Sequence, residues 1–297
     1  MQRKDRIDAF GGAVLVSFSA SLGLNQALVK LVNAGYAPFF QAGLRSAIAF
    51  LPVLIFALLL RKRLSISDGS LPAGVACGLV FCVEFMLLFV ALDYTSVSRA
   101  SVFFYTMPVW VTLGAHFLLP GERMTAAKAA GLAFAVGGVV LALSGNAAPA
   151  SERALIGDVM CLLSAVAWAT IALMTRTTRM SRSSPEMQLL YQLAVSIPIL
   201  IGAAWLTGDM LRAPTAALTG ILFFQALAIV ACGFLAWFWV LTIYPASDVA
   251  SFGFLAPVFG VFFGWVIFDE PLSPRLIGAL ALVALGIVLV NYRRKAR

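Results

Sequence analysis

Twenty consecutive residues, Val249 to Phe268, carry no ionisable side chain and are bracketed by Asp248 and Asp269. At 1.5 Å per residue a helix of that length crosses a hydrocarbon layer of about 30 Å. The surrounding stretch, YPASDVASFGFLAPVFGVFFGWVIFDE from Tyr244 to Glu270, is therefore expected to span a membrane. Within it Gly253, Pro257, Gly260 and Gly264 recur at steps of four, three and four, which puts them on one helical face open to a close neighbour. Phe252, Phe259 and Phe263 run one position earlier and set an aromatic strip beside that groove. Ordinary helix packing accounts for the glycine face taken alone.

The chain contains this segment twice. Ser98, Arg99, Ala100, Pro108 and Val109 line up with Ser247, Asp248, Val249, Pro257 and Val258 at a constant shift of 149 residues, and Glu122 matches Glu270 after a one-residue adjustment. A shift of half the chain length indicates an internal duplication, residues 1–148 and 149–297. Pro52 and Pro198 form a second matched pair, 146 apart. A proline removes one backbone hydrogen bond, so these four positions are expected to be bends that neighbouring helices make tolerable.

With 62% hydrophobic and 11% charged residues, the chain lies far from the soluble average of about 25% charged. Apolar runs bounded by charge or turn residues give ten spans: 8–30, 37–60, 71–92, 98–119, 126–145, 154–175, 186–206, 217–241, 247–268 and 274–292. The first is too long for a signal-peptide core and leads straight into further spans. Connecting loops are short, and no phosphate-binding GxxxxGK[ST] loop occurs, so any function must come from the bundle. Fifteen Lys and Arg fall at one set of loop ends and five at the other, with Arg45 inside a span. Basic residues near span ends stay in the cytoplasm, so both termini are expected there. The net charge of +8 is thus a topology signal and not a mark of nucleic-acid binding.

Five spans per repeat is an odd number, so the second half must enter from the opposite side of the membrane. The expected fold is an all-α polytopic membrane protein of ten transmembrane helices in two inverted five-helix repeats. That is the architecture of many secondary transporters, with substrate near the midplane and alternating access by rocking of one half against the other.

ALDYTSVSRASVFFYTMPVWVTLGAHFLLPGERMTAAKAAGLAFAVGGVVLALSG and IYPASDVASFGFLAPVFGVFFGWVIFDEPLSPRLIGALALVALGIVLVN resemble the two halves of an EamA-type protein of the drug/metabolite transporter superfamily. The resemblance covers essentially the whole chain. It implies ten helices with cytoplasmic termini in a bacterial inner membrane, and a central cavity lined by spans one, three, four, six, eight and nine. Spans five and ten would be scaffold or association helices. It also implies export of amino acids and related metabolites, most like the aromatic amino-acid exporters. An arginine at the span-two position is expected in the family, which favours a scaffold role for Arg45.

Ionisable groups deep in a membrane are costly and are functional candidates by default. Arg45, Glu84 and His116 are read as such. Arg45 and Glu84 lie at similar depth: either they pair and pin two helices, or Glu84 faces the cavity and meets a substrate ammonium or carries a proton. His116, near the end of span four, reads as interfacial. Ser17, Ser21 and Asn25, each four apart, form one polar stripe on span one. Gln225 is a further polar candidate, and Tyr105, Trp168, Trp237 and Phe254 are candidate aromatic walls. Trp237 and Trp239 point apart on a helix, and Trp237 is preferred.

Cys77, Cys82, Cys161 and Cys232 show no paired or metal-ligand spacing and read as small core residues, with neither disulfide nor metal expected. No cofactor is expected. An intramembrane enzyme would need a nucleophile with a base, or a metal cluster, and the sequence offers neither. A phosphate-ester carrier would want several internal cations where only Arg45 is deep. The alternative kept beside amino-acid export is a proton-coupled exporter of cationic compounds using Glu84. A monomer working among membrane lipids is expected.

Overall fold

The computed structural model describes residues 7–120, 122–144, 152–233, 236, 240, 243, 244 and 252–291. Trp237 and Trp239 lie outside the described residues, and so does the expectation that Trp237 faces the cavity.

Every regular element among the described residues is helical. In chain order they are α1 (Ala9–Asn33), α2 (Pro38–Leu59), α3 (Leu71–Tyr94), α4 (Val97–Phe104), α5 (Met107–Leu118), α6 (Ala126–Leu143) and α7 (Glu152–Thr177). After a 3₁₀ turn at Arg179–Arg182 come α8 (Pro185–Thr207), α9 (Ala216–Phe224), a π-helical segment Gln225–Gly233, a 3₁₀ turn Phe252–Phe254, α10 (Leu255–Phe268) and α11 (Pro274–Asn291). Among the described residues no strand forms, and one isolated bridge joins Tyr36 to Leu211. Among them too, eight helices are long and apolar enough to cross a membrane, with α4 and α5 counted as one and α9 joined to the π segment. Two shorter apolar helices follow at 252–268 and 274–290. The chain is an all-helical polytopic membrane protein.

Helix starts follow local chemistry. The side chains of Asp8, Ser96, Thr125, Ser184 and Thr215 each accept a hydrogen bond from a backbone N–H in the first turn of the helix that follows. These caps satisfy donors that have no partner inside the helix. Gly208 closes α8 with φ of 70°, a left-handed conformation that glycine adopts without a Cβ clash.

The four matched prolines do different things. Pro52 and Pro198 sit inside α2 and α8, which pack against each other. Pro108 lies in the first turn of α5, just past a break in the helix at Tyr105 and Thr106. Without an N–H it cannot bond the Phe104 carbonyl, and α4 and α5 separate there. Pro257 lies in the first turn of α10, after the 3₁₀ turn.

In lipid, helices associate by close packing rather than by hydrophobic exclusion from water. A Cβ on Gly260 would run into Ser101 of α4, and one on Gly23 of α1 would come within 2.6 Å of the Gly260 nitrogen. One on Gly264 would come within 2.5 Å of the Ser98 hydroxyl. These glycines therefore let α1, α4 and α10 cross at backbone distance. Gly253, on the same expected face, has nothing within 4 Å and borders open space instead. A second close seam joins α6 to α11, where a Cβ on Gly131 would lie 2.8 Å from the Gly286 carbonyl oxygen.

Cys77, Cys82 and Cys161 are buried as core residues, but Cys232 is exposed, contrary to expectation. It lies near the end of the π segment, on the side that no described helix covers.

Candidate functional site

A cavity of about 740 Å³ runs through the bundle. Its deep walls come from Phe18, Ser19, Leu22, Asn25 and Gln26 of α1, Phe81, Glu84, Phe85 and Leu88 of α3, and Phe104 and Tyr105 at the α4–α5 break. Pro108, Trp168, Phe252, Gly253 and Ala256 complete them. Arg45 and Ser46 of α2 and Leu189 and Leu193 of α8 also contribute, so the lining extends beyond the six spans expected. At one end the lining includes Glu122, Lys128 and Arg176, and Arg176 is ion-paired with Glu122. The lining reaches the helix ends on that side.

The opposite end is tied shut by polar contacts, none of whose residues lines the cavity. Glu270 accepts hydrogen bonds from the backbone N–H groups of Val97 (2.7 Å) and Ser98 (2.8 Å) at the start of α4. A carboxylate is favoured there by the partial positive charge of a helix N-terminus. Lys30 stands 3.9 Å from Glu270 and donates to the Thr95 carbonyl at 2.6 Å. Asn33 donates to Asp93 at 2.7 Å, and Arg212 to the other Asp93 oxygen at 2.8 Å. Asp158, fully buried in α7, is ion-paired with Arg99 and accepts from Thr95 at 2.7 Å.

Several expected site residues fall elsewhere. On the anticipated stripe only Asn25 lines the cavity: Ser17 is exposed, and the Ser21 hydroxyl donates to the Phe18 carbonyl of its own helix at 2.7 Å. The cavity face of α1 runs instead through Ser19, Leu22 and the adjacent pair Asn25 and Gln26, a stripe that the serine spacing obscured. Gln225 is fully buried outside the lining, and the neighbours Phe252 and Gly253 line it in place of Phe254. Glu84, Tyr105 and Trp168 line the cavity. His116 sits in the last turn of α5 and accepts from the Met124 N–H at 3.1 Å, as an interfacial group would.

Arg45 and Glu84 both line the cavity but do not form an ion pair within 4 Å. The Arg45 guanidinium lies over the rings of Phe85 and Phe89, at 4.3 and 4.7 Å. The Glu84 Oε2 atom is buried without a hydrogen-bond partner. Asp158, Gln26 and the closing role of Glu270 went unread in the sequence. Asp158 had a signal, a carboxylate inside an expected span. Glu270 had none, because its partners are backbone groups 172 and 173 residues away.

A mostly apolar cavity with a few polar groups, inside a helical bundle and reaching one end of it while polar contacts tie the other, is the arrangement of a membrane transporter. The EamA-like transporter family matches residues 9–144 and again 155–292, and the chain belongs to that family. It is 24% identical to the uncharacterized transporter YoaV of Bacillus subtilis (strain 168), covering 95% of this chain and 97% of that one. It is 26% identical to a probable amino-acid metabolite efflux pump of Escherichia coli (strain K12), covering 97% and 95%. A solved crystal structure matches the fold with a TM-score of 0.66 at 20% identity, over 95% of this chain and 98% of the other.

Proposed function

We propose that the protein exports amino acids, aromatic and other hydrophobic ones foremost and with them Thr or Met, by alternating access at the central cavity. The observation that carries this reading is a cavity within the roughly 300–1,000 Å³ usual for small molecules, with aromatic walls around a few polar groups. The name printed for the Escherichia coli relative supports the substrate class. In this reading residues 1–148 and 149–297 are inverted five-helix repeats making ten spans, a view supported by the two family matches in one chain. Both termini face the cytoplasm of a bacterial inner membrane, supported by the fifteen-to-five bias of basic residues. The end at Glu122 and Arg176, which the cavity reaches, is then the cytoplasmic one. The protein works as a monomer.

The unpartnered Glu84 carboxyl oxygen favours one second reading, proton-coupled export of cationic compounds. Counterflow into proteoliposomes loaded with Phe, Trp, Thr, Met or a quaternary-ammonium dye, with and without a pH gradient, separates the two. Saturable movement of amino acids without the gradient supports the first. Dye movement alone, dependent on the gradient, overturns it in favour of the second.

A further inference from the structure

Hydrogen-bonding capacity inside the cavity is left over in a particular way. Three acceptor oxygens of lining residues, Asn25 Oδ1, Gln26 Oε1 and Glu84 Oε2, are buried and have no hydrogen-bond partner. Eight other buried side-chain N or O atoms among the described residues also have no partner, but these three border one cavity, where a donating ligand would satisfy them together. An alkylammonium brings three N–H donors and a positive charge. Glu84, 2% exposed, is the carboxyl group that such a charge would meet beside the two amide oxygens.

Arg45 is the complementary case. It is 3% exposed and its guanidinium is covered by aromatic rings, which contact a flat cation through its face and leave its in-plane N–H groups to an acceptor. Among the described residues no carboxylate lies within 4 Å of it. A carboxylate matches the guanidinium fork.

The two halves of this demand lie at similar depth. Asn33 of α1 is bonded to the Phe89 carbonyl of α3, which sets the two helices in register. Counting from that contact at 1.5 Å per residue, Gln26 lies about 10 Å and Glu84 about 8 Å further in. Arg45, seven residues into α2, is about 10 Å from that helix's start at the same closed end.

We propose that Arg45 and Glu84 are the two poles of a zwitterion site. Arg45 receives an α-carboxylate, and Glu84 with the amide oxygens of Asn25 and Gln26 receives an α-ammonium, while Trp168, Phe104 and Tyr105 wall the side chain. This deepens the amino-acid reading and rests on it. It also gives Arg45 a binding role in place of the scaffold role expected from the family resemblance.

The test is competition against labelled Phe counterflow in proteoliposomes of the full-length protein, using Phe, phenethylamine (ammonium only) and 3-phenylpropionate (carboxylate only). In the wild type, Phe is expected to compete at least about tenfold better than either single-headed analogue, the ratio that ~1.4 kcal/mol per lost head group gives. Glu84→Gln removes the advantage of Phe over 3-phenylpropionate and keeps its advantage over phenethylamine; Arg45→Gln does the reverse. Asn25→Ala, on another helix, weakens Phe and phenethylamine together and leaves 3-phenylpropionate unchanged, which keeps the test decisive if an Arg45 variant fails to fold. Analogues that compete as well as Phe in the wild type, or variants that weaken all three compounds equally, overturn the zwitterion site while leaving amino-acid export standing. If no amino acid moves through the wild type, the export reading itself has failed and the site falls with it.

Discussion

Among single residues, burial separates charges that bind from charges that hold. Asp158 is fully buried and engaged by both Arg99 and Thr95. Its partner Arg99 is only partly buried, so Asp158→Ala is expected to cost about 1–3 kcal/mol through the lost charge-assisted hydrogen bonds, read as a lower thermal unfolding midpoint in detergent. Ser17→Ala and Ser21→Ala are expected to leave Phe counterflow unchanged, since one side chain is exposed and the other is bonded to its own helix. A loss of transport in either would restore the stripe first read on α1. That stripe failed because a spacing of four fits two adjacent faces of a helix equally well, and only its neighbours decide which face is wet.

Between elements, the α6–α11 seam tests how closely backbones must approach. A Cβ on Gly138 would lie 2.8 Å from the Ala279 carbonyl oxygen, whereas one on adjacent Gly137 would meet nothing within 4 Å. Gly138→Ala should therefore destabilise by about 1–3 kcal/mol through overpacking. Gly137→Ala should stabilise by about 0.5–1 kcal/mol by restricting the unfolded chain. Thermal unfolding of the two variants side by side checks the pair, and equal effects would mean that the seam is loose. The π segment at Gln225–Gly233 left no mark in the sequence, because no proline or glycine stands at its start.

Across the whole molecule, the cavity reaches the Arg176 end, and polar contacts tie the Glu270 end. If these contacts hold a two-state equilibrium, Glu270→Ala should free the start of α4 and admit reagents from the far side. Cys161, buried in α7 one turn from Asp158, is a native reporter. With the other three cysteines changed to serine, its labelling by a membrane-impermeant maleimide is expected to rise about fivefold, equivalent to ~1 kcal/mol of shifted equilibrium. Unchanged labelling would mean that Glu270 does not hold that end closed.

Membrane class and the positions of most helices were legible in the chain alone, because apolar length, caps and prolines are local signals that need no partner to be read. Arg45 and Glu84 stood out in the same way, since a charge inside an apolar run is conspicuous wherever its side chain points. Three outcomes came from packing instead: Arg45 and Glu84 do not pair, Glu270 closes one end against the backbone of α4, and Gln26 rather than Ser21 faces the cavity. They depend on which helix stands opposite which, and contacts between different helices leave no trace in local spacing.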